Sequence, residues 1–176
     1  MIVVASSNGR IGIEAATEIL RQGGTAVDAV EAGIRLVEAN PDDHTVGFNG
    51  YPNILGEVEL DASIMNGRTL ESGAVGAMKG YLHAITVARQ VMEKLPHVLL
   101  VGDGANRFAA EMGHPIQSEM LLPEIRDVWQ NRLRPDMNDD DIAQIGNRTD
   151  LSRWVQLATD PERAKGTVNF IAQDKE

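Results

Sequence analysis

At 176 residues, 43% hydrophobic and 24% charged, the chain is long enough for one globular domain and short for two. Its 16 Lys and Arg against 26 Asp and Glu give a net charge of −10 and a pI near 4.8, which argues against nucleic acid or an anionic membrane surface as partner. The absence of cysteine excludes disulfides, thiol chemistry and Cys-ligated metals, and with neither a cationic n-region nor a membrane-spanning apolar run, a cytoplasmic location is expected.

Residues 2 to 5 form a short apolar run that suits a strand buried on both faces, and Ser6, Ser7, Asn8 and Gly9 make a turn. Ile11, Ala15, Ala16, Ile19 and Leu20 recur at helical spacing until Gly23-Gly24. A second helix starts at once: Thr25 is its N-cap with Asp28 three residues on, and Val27, Val30, Ile34 and Val37 mark its apolar stripe up to Asn40-Pro41. Residues 41 to 57, rich in Gly, Asn, Asp and Pro, read as loop.

Val58, Leu60, Ala62 and Ile64 alternate with Glu59, Asp61 and Ser63, a strand with one apolar face. Asn66-Gly67 signals a hairpin whose return strand runs through Thr69 and Leu70 into Gly73–Ala77. Ile85, Ala88, Val91, Met92 and Leu95 mark a helix that stops before Pro96. His97–Val101 reads as another buried strand, Gly102–Gly104 as a turn, and Phe108, Ala109 and Met112 as a short helix ended by Gly113. Residues 114 to 166 are polar, broken by four prolines, and read as a mobile linker with a helix around Ile125 to Leu133. No internal repeat is present.

The last stretch carries the candidate chemistry. Thr167 follows Gly166 and opens a run in which Val168, Phe170 and Ala172 alternate with Asn169, Ile171 and Gln173, so a threonine stands at the first position of a strand. Such a pair is ordinarily a turn before a β-former. It is also what a threonine nucleophile needs if the chain is cut before it, because the freed α-amino group then becomes the base that activates the hydroxyl.

Other local signals have plainer readings. Val101-Gly102-Asp103-Gly104 between strand and helix resembles the opening of a dinucleotide loop, but Arg107 replaces the third glycine, so a strand-to-helix turn is expected. His44, His83, His97 and His114 lack ligand spacing, and no metal or other cofactor is expected. Asp139–Asp141 lacks the alternation of a calcium loop and reads as a solvated charge run. Glu59 and Asp61 share one strand face, as a carboxylate pair or simply as polar residues on an open face.

A family resemblance rests on longer motifs: residues 23–31 (GGTAVDAVE), 46–50 (VGFNG), 55–57 (LGE), 60–67 (LDASIMNG) and 73–76 (GAVG), then Val87-Ala88-Arg89, 99–102 (LLVG) and Gly166-Thr167-Val168. In this order they resemble the α-subunit portion of the glycosylasparaginase (aspartylglucosaminidase), plant-type asparaginase and isoaspartyl peptidase family of N-terminal nucleophile hydrolases. The resemblance implies an α/β fold, the four-layer αββα sandwich, here incomplete with its first half only. It divides the chain into an α-subunit core (1–113), a polar linker to the cleavage site (114–166) and the first strand of β, truncated (167–176). By that match the precursor cuts itself between Gly166 and Thr167, and Thr167 is the catalytic residue, attacking the side-chain amide of an asparagine derivative.

Where glycosylasparaginases proper have aspartate before the threonine, and tryptophan and phenylalanine near the N-terminus, this chain has Gly166, Ser7 and Gly9. β-Aspartyl peptides or L-asparagine therefore rank ahead of N4-glycosylasparagine. The family's second half supplies most of the substrate contacts, so the substrate-binding residues are unassigned and the expected partner is the missing β-subunit half, in an αβ heterodimer that pairs further. The alternative is a truncated, inactive member acting only as a binding or folding partner.

Overall fold

The computed structural model describes residues 1–153 and 166–175. Residues 154–165, which end the expected linker, and Glu176 lie outside the described residues. The chain is a mixture of helix and sheet, and the elements fall into two groups that meet at the second helix.

The first group is built on strand β1 (Ile2–Ala5), a 3-10 turn (Ser7–Gly12) and helices α1 (Ile13–Arg21) and α2 (Ala26–Glu38). Helix α1 ends at Gln22, and Gly23 follows at φ +87°, a conformation in which a side chain is strained. Thr25 then starts α2 with the expected capping box: its side chain accepts from the Asp28 amide, and the Asp28 carboxylate takes the Thr25 amide. Strand β5 (Phe170–Gln173) returns antiparallel to β1, with Ile2 opposite Gln173 and Ala5 opposite Phe170. Val3, Phe170 and Ala172 turn inward onto Ala16, Leu20 and Ala29 of the helices.

The second group is a three-stranded sheet of β2 (Leu60–Met65), β3 (Ser72–Met78) and β4 (Leu99–Val101). β2 and β3 pair antiparallel, and β3 and β4 parallel with Ala74 opposite Leu99, as the intervening helix α3 (Ala84–Lys94) allows. The register shifts between Leu60 and Ala62, and the Asp61 carboxylate accepts the Ala77 amide at 2.8 Å. Helix α4 (Gly102–Glu111) covers the same sheet. The core lies between sheet and helices, with Ile64, Val75, Met78, Ile85, Val87, Val91 and Ala109 buried. Arg89 binds α3 to α2 through Asp28 and Glu31, both at 2.7 Å, and reaches Glu93 at 2.6 Å on its own helix.

Several expectations need correction. The strands read as buried on both faces, β1 and β4, each leave one face open: Ile2, Val4, Leu99 and Val101 are more than half exposed. The alternation of inward Val3 and Leu100 against these neighbours shows that, among the described residues, helices cover one face of each sheet. The return strand starts at Ser72 instead of Thr69, because Asn66 builds an Asx turn, its side chain accepting the Arg68 amide, and the loop runs to Glu71 before pairing resumes. Residues 102–104 are no turn; they are the first turn of α4, with Gly102 at φ +53° making the bend from β4.

Beyond Gly113 more structure forms than the composition suggests. Helix α5 (Pro123–Leu133), expected there, is followed by α6 (Asp139–Ala143) and 3-10 turns at Ile145–Asn147 and Leu151–Arg153. Trp129, Leu133, Met137, Ile142 and Ile145 form a separate small core with Ile54 and Leu55 of the 41–57 loop. The charge run Asp139–Asp141 is the first turn of α6, capped by Asn138, where carboxylates complement the helix dipole. Among the described residues no helix is long and apolar enough to cross a membrane.

Candidate functional site around Gly166 and Thr167

Phe170 fixes β5 in place. A Cβ at Gly9 would lie 2.7 Å from its ring, and one at Gly33 2.5 Å from the opposite edge, so two glycines form a slot that the ring fills. Gly33 on α2 thus admits the Phe170 ring.

With Phe170 seated, the chain before it runs past the turn after β1. Ser6 and Asn169 extend the ladder, the Ser6 amide donating to the Asn169 carbonyl at 3.0 Å and the Asn169 amide to Ser6 Oγ at 3.0 Å. Ser6 Oγ donates to Asn8 Oδ1 at 2.7 Å. Asn8 Nδ2 donates to the Thr167 carbonyl at 3.1 Å and to Thr45 Oγ1 at 3.3 Å. Gly166 lies flat on Thr45: a Cβ there would stand 2.4 Å from the Thr45 carbonyl oxygen, a main-chain atom that no rotamer change can move. The glycine before the threonine is thus required by contact. Both Gly166 and Thr167 are exposed.

Thr45 is itself held. Its amide (2.9 Å) and hydroxyl both donate to Asp43 Oδ1, while Asp43 Oδ2 is buried without a hydrogen-bond partner among the described residues. The loop that carries it is anchored on both sides. Phe48 donates its amide to the Glu38 carbonyl at 2.7 Å, and Gly47 packs on the same backbone. Asn49, buried at φ +61°, donates through Nδ2 to Pro41 and accepts the Leu122 amide on Oδ1, both at 3.0 Å.

Behind this loop lies a buried carboxylate. Glu38 Oε1 accepts the Ile85 amide at 3.0 Å at the start of α3, and Oε2 stands 3.4 Å from His83 Nδ1. Burial pushes the Glu38 carboxyl above its ordinary value, against the hydrogen bonds of His83 and Ile85.

The remaining sequence candidates are not gathered here. Glu59 belongs to a surface group with Lys79 and Glu57; hydrogen bonding from Asn53 and then from Lys79 holds its carboxyl below the ordinary value against burial. Asp61 serves the β2–β3 irregularity, so the two carboxylates have separate structural partners. His44 Nδ1 lies 3.0 Å from the Asn49 carbonyl, and His114 Nε2 lies 2.8 Å from Gln90. Burial, with Arg35 and His83 nearby, lowers the His114 pKa. Among the described residues no group of three His, Asp or Glu could hold a metal ion. Sequence reading missed Asn8, Asp43 and Thr45, which were assigned to turn and loop.

The family model described as asparaginase matches residues 9–176, nearly the whole chain. The chain belongs to this asparaginase family. Among curated relatives, this asparaginase-family chain is 44% identical over 122 residues to an isoaspartyl peptidase/L-asparaginase of Danio rerio, 68% of this chain and 39% of the relative. It is 44% identical over 119 residues to an N(4)-(beta-N-acetylglucosaminyl)-L-asparaginase of Elizabethkingia miricola, 68% and 34%. Against a plant-type L-asparaginase of Pyrococcus horikoshii it is 52% identical over 157 residues, 87% and 48%. The chain thus spans between about a third and a half of the length of the relatives it matches.

Proposed function

We propose that the chain is the N-terminal portion of an amidohydrolase precursor of the four-layer αββα N-terminal nucleophile type, which acts on asparagine-type side-chain amides through Thr167. The observation that carries this reading is the seating of Gly166-Thr167 at the entry to β5, pressed on Thr45 and gripped by Asn8, in a chain matched by relatives named for asparaginase and isoaspartyl peptidase activity. The Thr167 hydroxyl attacks the Gly166 carbonyl carbon, the peptide nitrogen takes the proton, and the resulting ester is hydrolysed by water to leave a free Thr167 α-amine. That amine then accepts the hydroxyl proton while Thr167 Oγ attacks the β-carbonyl of the substrate. The proton passes to the departing amine, and a second water releases aspartate from the acyl-enzyme.

Two further features support a longer protein. Ile2, Val4 and Ile171 on one sheet and Leu99 and Val101 on the other are exposed apolar residues, and a two-stranded ribbon such as β1–β5 is marginal without a layer over its open face. The length match to relatives agrees with a second half that supplies that layer, in an αβ heterodimer that pairs further.

The test is intact mass of the full gene product with and without Thr167→Ala and Thr167→Ser, followed by assays of a β-aspartyl dipeptide, L-asparagine and N4-glycosylasparagine. Fragments starting at Thr167, turnover in the same preparation, and loss of both in Thr167→Ala are expected, with partial retention in Thr167→Ser. The dipeptide and asparagine are expected to lead, since no aromatic stands at Ser7 or Gly9 to stack on a sugar. Turnover by Thr167→Ala would overturn the assignment, and turnover of the glycosylated compound alone would reverse the substrate order.

A further inference from the structure

Asn8 is set in one orientation from both ends. The Asn169 amide donates to Ser6 Oγ, so the Ser6 hydroxyl hydrogen goes to Asn8 Oδ1. At the other end the Thr45 hydroxyl hydrogen is committed to the Asp43 carboxylate, leaving a lone pair on Thr45 Oγ1 for Asn8 Nδ2. The second Nδ2 hydrogen reaches the Thr167 carbonyl. Both hydrogens and the carbonyl of the side chain are used, and flipping the amide would set oxygen against two acceptors and Nδ2 against the Ser6 donor.

The carbonyl that Asn8 grips lies on the far side of Thr167 from the Gly166–Thr167 bond, so cleavage of that bond leaves the grip intact. We propose that Asn8 is a positioning residue for Thr167: its amide ties the Thr167 peptide to Thr45, aiming the hydroxyl at the Gly166 carbonyl before the cut and holding the freed threonine in the same place afterwards. This rests on the reading of Thr167 as a nucleophile released by self-cleavage. The contact that presses Gly166 on Thr45 and the amide that ties Thr167 to Thr45 act on adjacent residues, so together they define the direction of the peptide between them.

The decisive variant is Asn8→Asp, equal in size with the donor replaced by an acceptor, compared with Asn8→Ala and wild type in the full gene product. The rate of fragment appearance is followed by intact mass from pH 4 to 8, and kcat and KM are measured on cleaved protein. Asn8→Asp is expected to cut about tenfold to a hundredfold more slowly near neutral pH and to recover relative to wild type as pH falls, because a protonated carboxyl regains one donor. Asn8→Ala, which removes the grip without adding repulsion, is expected to lie between, with the loss after cleavage in kcat more than in KM. A defect of equal size at every pH would mark a merely structural residue and overturn the positioning role, as would variants that cut and turn over at the wild-type rate, which would leave the Thr167 reading standing. A wild type that never cuts while still turning substrate over would sink the role before the cut; a wild type that does neither would sink the Thr167 reading, and the role with it.

Discussion

Gly33→Ala puts two opposing effects at one position. Gly33 lies within α2, where alanine in place of glycine favours an exposed helix by about 1 kcal/mol. Here the added methyl would stand 2.5 Å from Phe170 Cε1 and within 3.0 Å of two more ring atoms. A flexible side chain could retreat, but the far edge of the ring already meets Gly9, where a Cβ would stand 2.7 Å away. The ring has no room on either side, so the clash passes to the main chain of β5 or α2. Overpacking of this kind costs about 1–3 kcal/mol, and after a propensity gain of about 1 kcal/mol a net loss of up to about 2 kcal/mol is expected. Urea unfolding of the purified protein measures it, with Gly67→Ala, which has nothing within 4 Å, as the control. Phe170→Leu in the Gly33→Ala background should return part of the loss by shortening the group in the slot. If Gly33→Ala were more stable than wild type by the full propensity gain of about 1 kcal/mol, Phe170 would not be the group that requires glycine there.

Gly166→Ala should cost about 1 kcal/mol, because a main-chain oxygen of Thr45 blocks the methyl, and should speed hydrogen exchange at residues 167–169 through the displaced peptide; unchanged exchange would count against the contact. Glu38 should give a signed pH dependence. Its folded-state value is raised above the ordinary 4.5, so the folded state binds the proton more tightly, and the favourable contribution present below pH 4.5 is lost as pH rises through the folded value. The stability of wild type relative to Glu38→Gln, followed by urea midpoint at several pH values from 4 upward, should therefore fall with rising pH, and a relative gain would refute the assignment. Arg89→Met should cost about 1–3 kcal/mol in the same assay, since it strips the cation from Asp28, Glu31 and Glu93 while keeping the aliphatic stem; a neutral result would show that the three carboxylates find other partners.

The helices were legible because each carries its own punctuation. Thr25 with Asp28 marks the start of α2, Gly23 the end of α1 and Pro96 the limit of α3, and each signal acts within one or two turns of chain. The open faces of β1 and β4 were not legible. A continuous apolar run says that both faces want cover, and it does not say whether the cover lies among these residues. The helical turns at 139–153 were obscured for the opposite reason. Their polar surface hides a small apolar set, Ile142, Ile145 and Leu151, that only becomes a core against Trp129, Met137 and Leu55.

Of the candidate site, Gly166-Thr167 could be picked out locally, but Asn8 is 159 residues from Thr167 and was indistinguishable from an ordinary turn residue. What joins them is register. Ala5 stands opposite Phe170 and Ser6 bonds Asn169, and the 3-10 turn that starts at Ser7 then brings the Asn8 side chain to the Thr167 carbonyl. A slip of one residue would turn Phe170 outward, empty the slot between Gly9 and Gly33, and carry Thr167 away from the Asn8 amide in the same movement. The packing of one aromatic ring and the aim of one threonine are therefore a single constraint. It follows that substitutions in the slot, remote from any hydroxyl chemistry, should slow cleavage in proportion to how far they shift β5. Gly33→Ala and Gly9→Ala should then rank alike in stability and in the rate of cutting at Gly166–Thr167, whereas a stability loss of equal size from Arg89→Met, which lies away from β5, should leave that rate near wild type. Equal slowing by Arg89→Met would show that global stability, and not strand register, sets the geometry at Thr167.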